Sequence, residues 1–351
     1  MWQIRISHPG FPTLSTLVEL EPPDMRYDLL VLGNDDAALD TARIAAENGL
    51  KVLSVMPRQR HSATLLARSL QRTTRELAAD FPVHCREKFR QAASPGLLQR
   101  LLTRSIHAEI SEQLATLRSA GVHTLRGEAS FIAPGWIRVD RGPEQTDAVL
   151  NTTHTVVAVG VRRTLLSLSL VRCGVHGPQH LLQMPALPES VVVAGGDDFG
   201  SSLAAFCSTV GIRTDLVTRP ADSSAALELA LKQGVRLVDR PDSRLLPDVF
   251  STPATTPCHK LPPIFDCRRA IGFTGHLRLD TLGIQTDENG LLWCSSSLET
   301  WCPGVFGAGE VVGFSPENFR DTTQQATRIL EAATRKGPAP WRLRSRILAS
   351  T

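Results

Sequence analysis

Two short glycine-containing turns have the residue types from which proteins build a site for a diphosphate group. The first is Gly33-Asn34-Asp35-Asp36-Ala37-Ala38, and the second is Gly195-Gly196-Asp197-Asp198-Phe199-Gly200. In a G-x-G-x-x-G turn, the first glycine makes a sharp bend and the second lets the backbone approach the diphosphate. The third lets helix and strand pack closely. The diphosphate then lies on the helix N-terminus, where free N–H groups and the helix dipole favour an anion.

Both turns carry an aspartate at the position of closest approach. Gly33 is in place, and Ala38 is an accepted substitute for the third glycine, but Asp35 replaces the second. Asp197 stands at the same position in the second turn, whose outer glycines are kept. At ~4 Å two like charges repel by roughly 1 kcal/mol in bulk water, and by several times that near a protein surface. The aspartates therefore predict weakened binding of a dinucleotide.

The strand that follows each turn supplies a further indication. After the first turn this strand ends in Met56-Pro57-Arg58, without a carboxylate for a ribose hydroxyl. After the second it ends in Thr218-Arg219, and Arg219 could bind a 2′-phosphate and so favour NADP over NAD. The alternative is an ordinary surface arginine. A doubly wound fold without a nucleotide also stays open, with Asp35 and Asp36 serving only as acids that start a helix.

Strands and helices alternate around both turns. The pattern predicts a strand at 27–33, a helix at 37–48 and a second strand at 51–56, with a turn before the helix. It predicts the same order again, with a strand at 191–194, a helix at 201–210 and a strand at 213–218. Each group is a βαβ unit, and two such units about 160 residues apart indicate an internal duplication of a nucleotide-binding half-fold. The chain is therefore predicted to be an α/β protein.

The remaining segments read less regularly. Residues 62–120 are mainly helical by pattern, with breaks near Pro82 and at Ser94-Pro95-Gly96. Short strands at 122–125, 129–132 and 136–139 indicate a small antiparallel piece, and a buried strand is predicted at 155–160. Further helices are predicted at 221–234 and 318–335, while residues 240–265 are proline-rich and irregular.

Composition excludes several other classes of protein. The 351 residues are 42% apolar and 21% charged, with a net charge of +3, which does not point to nucleic acid. No apolar run is long enough to span a bilayer, and the N-terminus does not resemble a signal peptide. The seven cysteines form no C-x-x-C, so we expect a reducing, cytoplasmic location and no metal site. Cys258, His259 and Cys267 lack a recognised metal-site spacing, and no G-x-S-x-G marks a serine hydrolase.

The most specific motif follows the second βαβ unit. Thr300-Trp301-Cys302-Pro303-Gly304-Val305-Phe306-Gly307-Ala308-Gly309-Glu310 closely resembles T-x-x-P-G-[IV]-[FY]-A-x-G-D, a signature of the pyridine nucleotide–disulfide oxidoreductases. Ala158-Val159-Gly160 resembles the "ATG" strand of the same family. Within that family the chain looks most like soluble pyridine nucleotide transhydrogenase and dihydrolipoamide dehydrogenase. The resemblance runs from about Tyr27 to about Arg328.

The resemblance implies two Rossmann-like domains, an NAD(P)-binding one inserted into an FAD-binding one. We expect an N-terminal arm (1–25), the first part of the FAD-binding-like domain (26–160), the NAD(P)-binding-like domain (161–270), the return segment of the first domain (271–335) and a basic tail (336–351). The residues implied at FAD are Gly33, Asn34, Asp35, Ala37, Ala38, Gly160, Gly309 and Glu310. Those implied at NAD(P) are Gly195, Gly196, Asp197, Gly200 and Arg219.

Three departures from the family's pattern bear on its chemistry. Residues 56–84 contain no cysteine, so the C-x-x-x-x-C of the disulfide reductases is absent there. Glu310 replaces the aspartate that holds the flavin ribityl chain and is one methylene longer. The last histidine is His276, so we expect no C-terminal dimerisation domain with its His–Glu pair.

Two functions remain open from the sequence. The first is an oxidoreductase that passes hydride from NAD(P)H to FAD without a redox disulfide, with no protein acid or base essential because the cofactors carry the chemistry. The second is a pseudoenzyme that has lost tight cofactor binding and acts as a binding or regulatory protein. Its partner, electron acceptor and oligomeric state are not indicated by the sequence.

Overall fold

A computed structural model describes residues 19–20, 26–58, 61–81, 83–163, 175–218, 224–238, 262–317, 319 and 321–335. Several sequence predictions lie outside these residues: most of the arm 1–25, the tail 336–351, Arg219, the Cys258-His259 pair and most of the 240–265 segment. Contacts divide the chain into two compact units. Unit 1 consists of Met1–His61, Gln113–Gly160 and Gly272–Thr351, and unit 2 consists of Ser62–Glu112 and Val161–Ile271.

Unit 1 is built on an eight-stranded sheet. Its strands are β1 (Glu19–Leu20), β2 (Tyr27–Leu32), β3 (Val52–Met56), β4 (His123–Arg126), β5 (Glu128–Ala133), β6 (Trp136–Asp140), β7 (Ala148–Val157) and β16 (Val305–Gly307). The strand order is β4-β3-β2-β7-β6-β5, and β1 and β16 also pair with β7. Strands β2, β3, β4 and β16 run parallel to one another and to β7, whereas β5, β6 and β7 form an antiparallel meander. A separate parallel pair joins β15 (Leu292–Trp293) to β17 (Val312–Phe314).

Two helices cover the centre of this sheet. Helix α1 (Asp36–Glu47) follows β2 directly and packs against α7 (Thr322–Arg335) near the C-terminus. The core lies around β2 and β7, where Leu29, Leu30, Val31 and Val156 are fully buried. A near-continuous apolar strand of this kind is typical of a parallel sheet covered on both faces.

Unit 2 contains a five-stranded parallel sheet made of β9 (Val175–His176), β10 (Ser190–Ala194), β11 (Arg213–Val217), β12 (Arg236–Val238) and β13 (Ile264–Asp266). The strand order is β12-β11-β10-β13-β9. A two-stranded pair joins β8 (Val161–Arg163) to β14 (Ala270–Gly272). Helix α5 (Asp198–Thr209) follows β10, and α6 (Ala225–Lys232) follows β11. The alternation of strand and helix gives the parallel, doubly wound arrangement that the sequence predicts.

The helices after β3 pack in unit 2. They are α2 (Ala63–Asp80), α3 (Arg86–Ala92) and the larger part of α4 (Pro95–Ser119), whose last seven residues belong to unit 1. Helix α2 packs along α5, and Gln71 Nε2 donates a hydrogen bond to Ser202 Oγ at 2.9 Å. The first part of the FAD-binding-like domain at residues 26–160 stays a prediction, while contacts group Ser62–Glu112 with unit 2.

The structure also changes three predicted elements. The segment at 122–125 was expected in an antiparallel piece, but β4 is parallel to β3 at the edge of the large sheet. The strand predicted at 155–160 begins at Ala148, because its first half pairs with β6, and ends at Val157. The helix predicted at 201–210 begins three residues earlier, because Asp197 caps it. None of the described helices is both long and apolar enough to cross a membrane, and the cytoplasmic location stays a prediction.

Candidate dinucleotide-binding turns

The first turn lies where the carboxyl ends of three adjacent parallel strands meet. The register pairs Leu32 of β2 with Val157 of β7, and Val157 with Gly307 of β16. The chain segments that leave these strands therefore emerge side by side: Gly33 to Ala38, Ala158 to Gly160, and Ala308 to Glu310. Sheet topology thus brings together all the residues that the sequence assigned to FAD.

Gly33 occupies a position that excludes any side chain. Its φ is +132°, and a Cβ there would collide with the carbonyl group of Ala158. The strands are drawn together at this point because Ala158 N–H donates to Leu32 O at 2.8 Å and Gly33 N–H donates to Val55 O at 3.0 Å. The glycine is required by the close approach of two backbones within the sheet.

The side chain of Asp35 is turned inward onto the start of α1. Asp35 is the N-cap of this helix, and its Oδ1 accepts a hydrogen bond from the N–H of Ala38 at 2.8 Å. Only 2% of the residue is exposed. Burial raises the pKa of the Asp35 carboxyl well above its ordinary value, an effect that the N–H of Ala38 opposes and the charges of Asp36 and Glu310 add to. The carboxyl group therefore occupies the helix N-terminus where a diphosphate would lie.

The segment after β16 closes over the other side of Asp35. Gly309 has φ +76°, and a Cβ at this position would collide with Asp35 Oδ2. The N–H of Gly309 donates to Oε1 of Gln325, a buried residue of α7, at 2.7 Å. Glu310 lies in the short 3-10 turn Gly309–Val311 and is exposed. Sequence reasoning missed Gln325, because no motif marks a helix residue sixteen positions downstream of the glycine it contacts.

Two buried amide side chains beside the first turn have unmet hydrogen-bonding capacity. Asn34 is 1% exposed, and neither its Nδ2 nor its Oδ1 has a hydrogen-bond partner among the described residues. Gln113 of α4 donates weakly to the Asn34 carbonyl at 3.4 Å, while its own Oε1 has no partner in the described part of the chain. Such groups mark places where a polar molecule can bind.

A small cavity lies next to the first turn, between the ends of β2, β3 and β5. Its volume is about 20 Å³, which is room for about one water molecule. Glu128 and His276 line it, with His276 Nε2 lying 3.8 Å from Glu128 Oε2. The N–H of Arg58 donates to Glu128 Oε1 at 3.2 Å. This cluster was also missed, because its members come from distant segments without a shared motif.

Gly160 lies just after the carboxyl end of β7, and its carbonyl accepts a hydrogen bond from Phe273 N–H at 3.2 Å.

The second turn repeats the arrangement of the first in a more open form. Asp197 is the N-cap of α5, and its Oδ1 accepts from Gly200 N–H at 2.9 Å. Its Oδ2 pairs with Arg163 of β8 at 2.5 Å, and the Asp197 side chain is 40% exposed. Gly200 leaves no room for a side chain, because a Cβ there would collide with the carbonyl of Gly195. Gly196 is tied to the helix through its carbonyl, which accepts from Ser201 Oγ at 3.1 Å.

The neighbouring strand end adds residues that the sequence did not indicate. Asp266 at the end of β13 is buried and forms an ion pair with Arg268, with Nε and Oδ1 2.9 Å apart. Cys267 lies between them, and burial raises the pKa of its thiol well above the ordinary value. The negative charge of Asp197 raises the pKa of the Cys267 thiol further, and the positive charge of Arg163 lowers it, so both charges act on this thiol.

Sequence and fold comparisons find similar proteins of one kind. The chain is 23% identical over 316 residues to the soluble pyridine nucleotide transhydrogenase of Hahella chejuensis, covering 83% of this chain and 67% of that protein. It is 26% identical over 218 residues to dihydrolipoyl dehydrogenase 2 of Haloarcula marismortui, covering 56% of this chain and 46% of the relative. No family model matches. The chain is a homologue of the pyridine nucleotide–disulfide oxidoreductases.

Solved structures show the same fold. LpdA from Mycobacterium tuberculosis superposes with a TM-score of 0.57 at 20% identity, covering 91% of this chain and 74% of that one. The HOCl-induced flavoprotein disulfide reductase RclA from Escherichia coli superposes with a TM-score of 0.55 at 16% identity, covering 87% of this chain and 70% of that one. The predicted resemblance of this chain to the pyridine nucleotide–disulfide oxidoreductases is therefore confirmed, both in sequence and in fold.

The first turn does not fit the diphosphate of FAD as this fold would bind it. The Asp35 carboxyl already accepts from the helix N-terminus, is buried, and touches Gly309 on its other side. Its volume stands in the way whether or not it carries a proton, and its charge adds repulsion when ionised.

Proposed function

We propose that this protein has the fold of the pyridine nucleotide–disulfide oxidoreductases but does not bind FAD as they do. It acts instead as a binding or regulatory protein. The observation that carries the proposal is the buried Asp35 carboxyl on the N-terminus of α1. Asp197 repeats that arrangement on α5, which supports a weakened NAD(P) site as well. The missing cysteine pair between residues 56 and 84 agrees with a loss of disulfide chemistry.

The first test is an absorbance spectrum of the purified full-length protein. We expect no flavin bands near 370 and 450 nm and no flavin in the supernatant after heating. NAD(P)H should reduce neither a dye nor a quinone at enzymatic rates. A yellow protein with about one flavin per chain would contradict the proposal directly.

The second test uses Asp35→Gly, which removes the side chain from the helix N-terminus. We expect this variant to bind FAD at least about tenfold more tightly than the wild type, a gain of about 1.4 kcal/mol, measured by flavin fluorescence quenching. Ser62→Gly is the matched control, because Ser62 caps α2 with its hydroxyl on Leu65 N–H and lies away from either turn in the sequence. Equal FAD affinity in the wild type, Asp35→Gly and Ser62→Gly would show that Asp35 is no obstacle.

A second candidate function is hydride transfer from NAD(P)H to FAD. It is favoured by the Asn34 amide and Gln113 Oε1, which are buried polar groups that a bound cofactor would satisfy. On this view FAD binds with Asp35 turned aside and Glu310 near its ribityl chain. Turnover of NAD(P)H with a dye acceptor by the wild type, lost in Asn34→Leu, would favour this candidate over the first.

A further inference from the structure

A larger cavity lies at the opposite end of the unit 1 sheet from the glycine turn. It has a volume of about 450 Å³ and lies at the amino-terminal ends of β2 and β3 and along the edge strand β4. Six of the residues that line it are Tyr27, Leu53, Arg118, Val122, His123 and Leu125. The six residues of β2 separate Tyr27 from Gly33 by roughly 20 Å, so this cavity is distinct from the turn site.

An aromatic pair, Tyr27 and His123, lines part of the cavity. Tyr27 Oη and His123 Nδ1 are hydrogen-bonded at 3.0 Å, and the two rings meet edge to face with centroids 5.6 Å apart. The ammonium group of Lys51 lies 5.3 Å from the centroid of the Tyr27 ring. Tyr27 is buried, so this contact fixes the exposed imidazole at the mouth of the cavity.

The charges around the cavity are mainly basic. Arg118 is exposed in the last turn of α4, and its guanidinium has no hydrogen bond or ion pair within the described residues. Arg126 continues the same edge strand as His123 and is also exposed. The carboxylate of Asp28, whose Oδ2 accepts from the N–H of Lys51 at 2.9 Å, is outnumbered by the cations of Lys51, Arg118 and Arg126. An anionic group would therefore be attracted to this mouth.

We propose that the cavity binds a small organic carboxylate. The carboxylate would pair with Arg118 and hydrogen-bond to His123, while its apolar body would pack on Leu53, Val122 and Leu125. Leu53 and Val122 are buried and form an apolar wall, and the volume lies within the range of small-molecule pockets. A few placed polar groups over an apolar lining are what such pockets use for specificity.

The test uses ¹⁹F NMR with 4-fluorobenzoate as the probe and full-length protein. We expect saturable line broadening of 4-fluorobenzoate with a dissociation constant near or below about 1 mM, in the range open to a ligand of this size. The neutral isostere 4-fluorobenzamide should bind at least about tenfold more weakly, because the contact with a guanidinium is charge-assisted.

Two variants separate a specific site from general attraction to a basic surface. Arg118→Gln should weaken binding of 4-fluorobenzoate about tenfold, whereas Arg104→Gln, an exposed arginine earlier on the same helix, should leave it unchanged. Thr124→Trp places a large ring in the cavity and should abolish binding while the circular dichroism spectrum stays that of the wild type. The proposal is overturned by no saturable binding to the wild type, by equal binding of the amide, or by equal losses in Arg118→Gln and Arg104→Gln.

Discussion

The carboxyl group of Asp35 uses the same backbone N–H groups that a diphosphate would use at a helix N-terminus. A capping carboxyl is held by the chain itself, so it loses no translational freedom when it binds. A free nucleotide must displace it and bear the cost of association. Asp197 makes the corresponding contact on α5, but its side chain is 40% exposed and shared with Arg163. The first turn is therefore the more firmly closed of the two.

The buried state of Asp35 predicts a dependence of stability on pH. Because burial raises the folded pKa above 3.8, the folded protein holds the proton more tightly than the unfolded chain. The contribution of the Asp35 carboxyl to the free energy of unfolding is fully present below about pH 3.8 and declines as the pH rises through the folded pKa. Asn caps a helix about as well as Asp but does not titrate. We therefore expect Asp35→Asn to gain melting temperature relative to the wild type as the pH rises from 4 to 8.

The measurement is a series of thermal melts across that pH range. Asp28→Asn, the same substitution at an exposed aspartate, is the control for the change of residue type. If Asp35→Asn instead loses stability relative to the wild type as the pH rises, the carboxylate is stabilised in place and the assigned direction of its pKa is wrong.

At the scale of elements, helix α7 fastens the segment after β16 to the rest of unit 1. Gln325 accepts from Gly309 N–H at 2.7 Å, and its Nε2 donates to the carbonyl of Phe319 at 3.1 Å. Thr322 at the start of the same helix donates to Asp40 of α1 at 2.5 Å. These contacts hold Gly309 against Asp35, so the closure of the first turn depends on α7 as well as on α1.

Gln325→Ala is expected to lower the free energy of unfolding by about 1–3 kcal/mol, because it leaves the N–H of Gly309 without its acceptor. Urea denaturation followed by circular dichroism measures the change. Gln324→Ala is a matched control, since the adjacent glutamine is exposed and the substitution removes the same atoms. Equal and small effects of the two substitutions would show that the Gln325 contact is not a fastening of α7.

The elements themselves were predictable where the residue pattern is local. The apolar run of β2, the small residues of α1 and Gly49 after it specify a strand, a helix and its end, and the structure has all three. The parallel pairing of β4 was not predictable, because its four residues have no pattern that distinguishes a sheet edge from a hairpin. The first half of β7 was missed for a similar reason, since Asn151, Thr152 and His154 dilute its apolar pattern.

At the scale of the whole molecule, most of the helical segment between β3 and β4, Ser62–Glu112, belongs to unit 2. Arg86 of α3 donates to the carbonyl of Gln233 at 2.8 Å and to its Oε1 at 2.5 Å. The backbone of Arg86 also packs against Gly211, just after α5, so closely that a Cβ there would collide with the Arg86 carbonyl. Such long-range contacts have no signature in local sequence, which explains why the assignment of residues 62–112 was not foreseen.

Arg86→Ala is expected to lower the free energy of opening these helices from the rest of unit 2 by about 1 kcal/mol or somewhat more. The reason is that it removes hydrogen bonds from a charged group. Hydrogen exchange should quicken in α2, α3 and α6 and stay unchanged in β2 and β7 of unit 1. Lys88→Ala on the same helix is the control, because Lys88 is exposed. Faster exchange in β2 and β7 would show instead that the helices stabilise unit 1.

The candidate site was predictable as far as motifs reach. Gly33, Asp35, Gly309 and Glu310 were singled out from two motifs far apart in the chain, and parallel pairing brings them to one edge of the sheet. The inward turn of the Asp35 side chain was not predictable, because an aspartate before a helix can cap it or face solvent. The structure distinguishes these by burial and by the contact with Ala38.

Among the described residues, four cysteines are buried, Cys207 and Cys267 in unit 2 and Cys294 and Cys302 in unit 1. Burial raises the pKa of Cys207 and Cys294 to about 12, so neither thiol forms the reactive thiolate at neutral pH while the fold is intact. Alkylation by iodoacetamide, read peptide by peptide in a mass spectrometer, therefore reports the opening of each half of the chain separately. The alkylation rates of these cysteines thus provide one separate measure of opening for each of the two sheets.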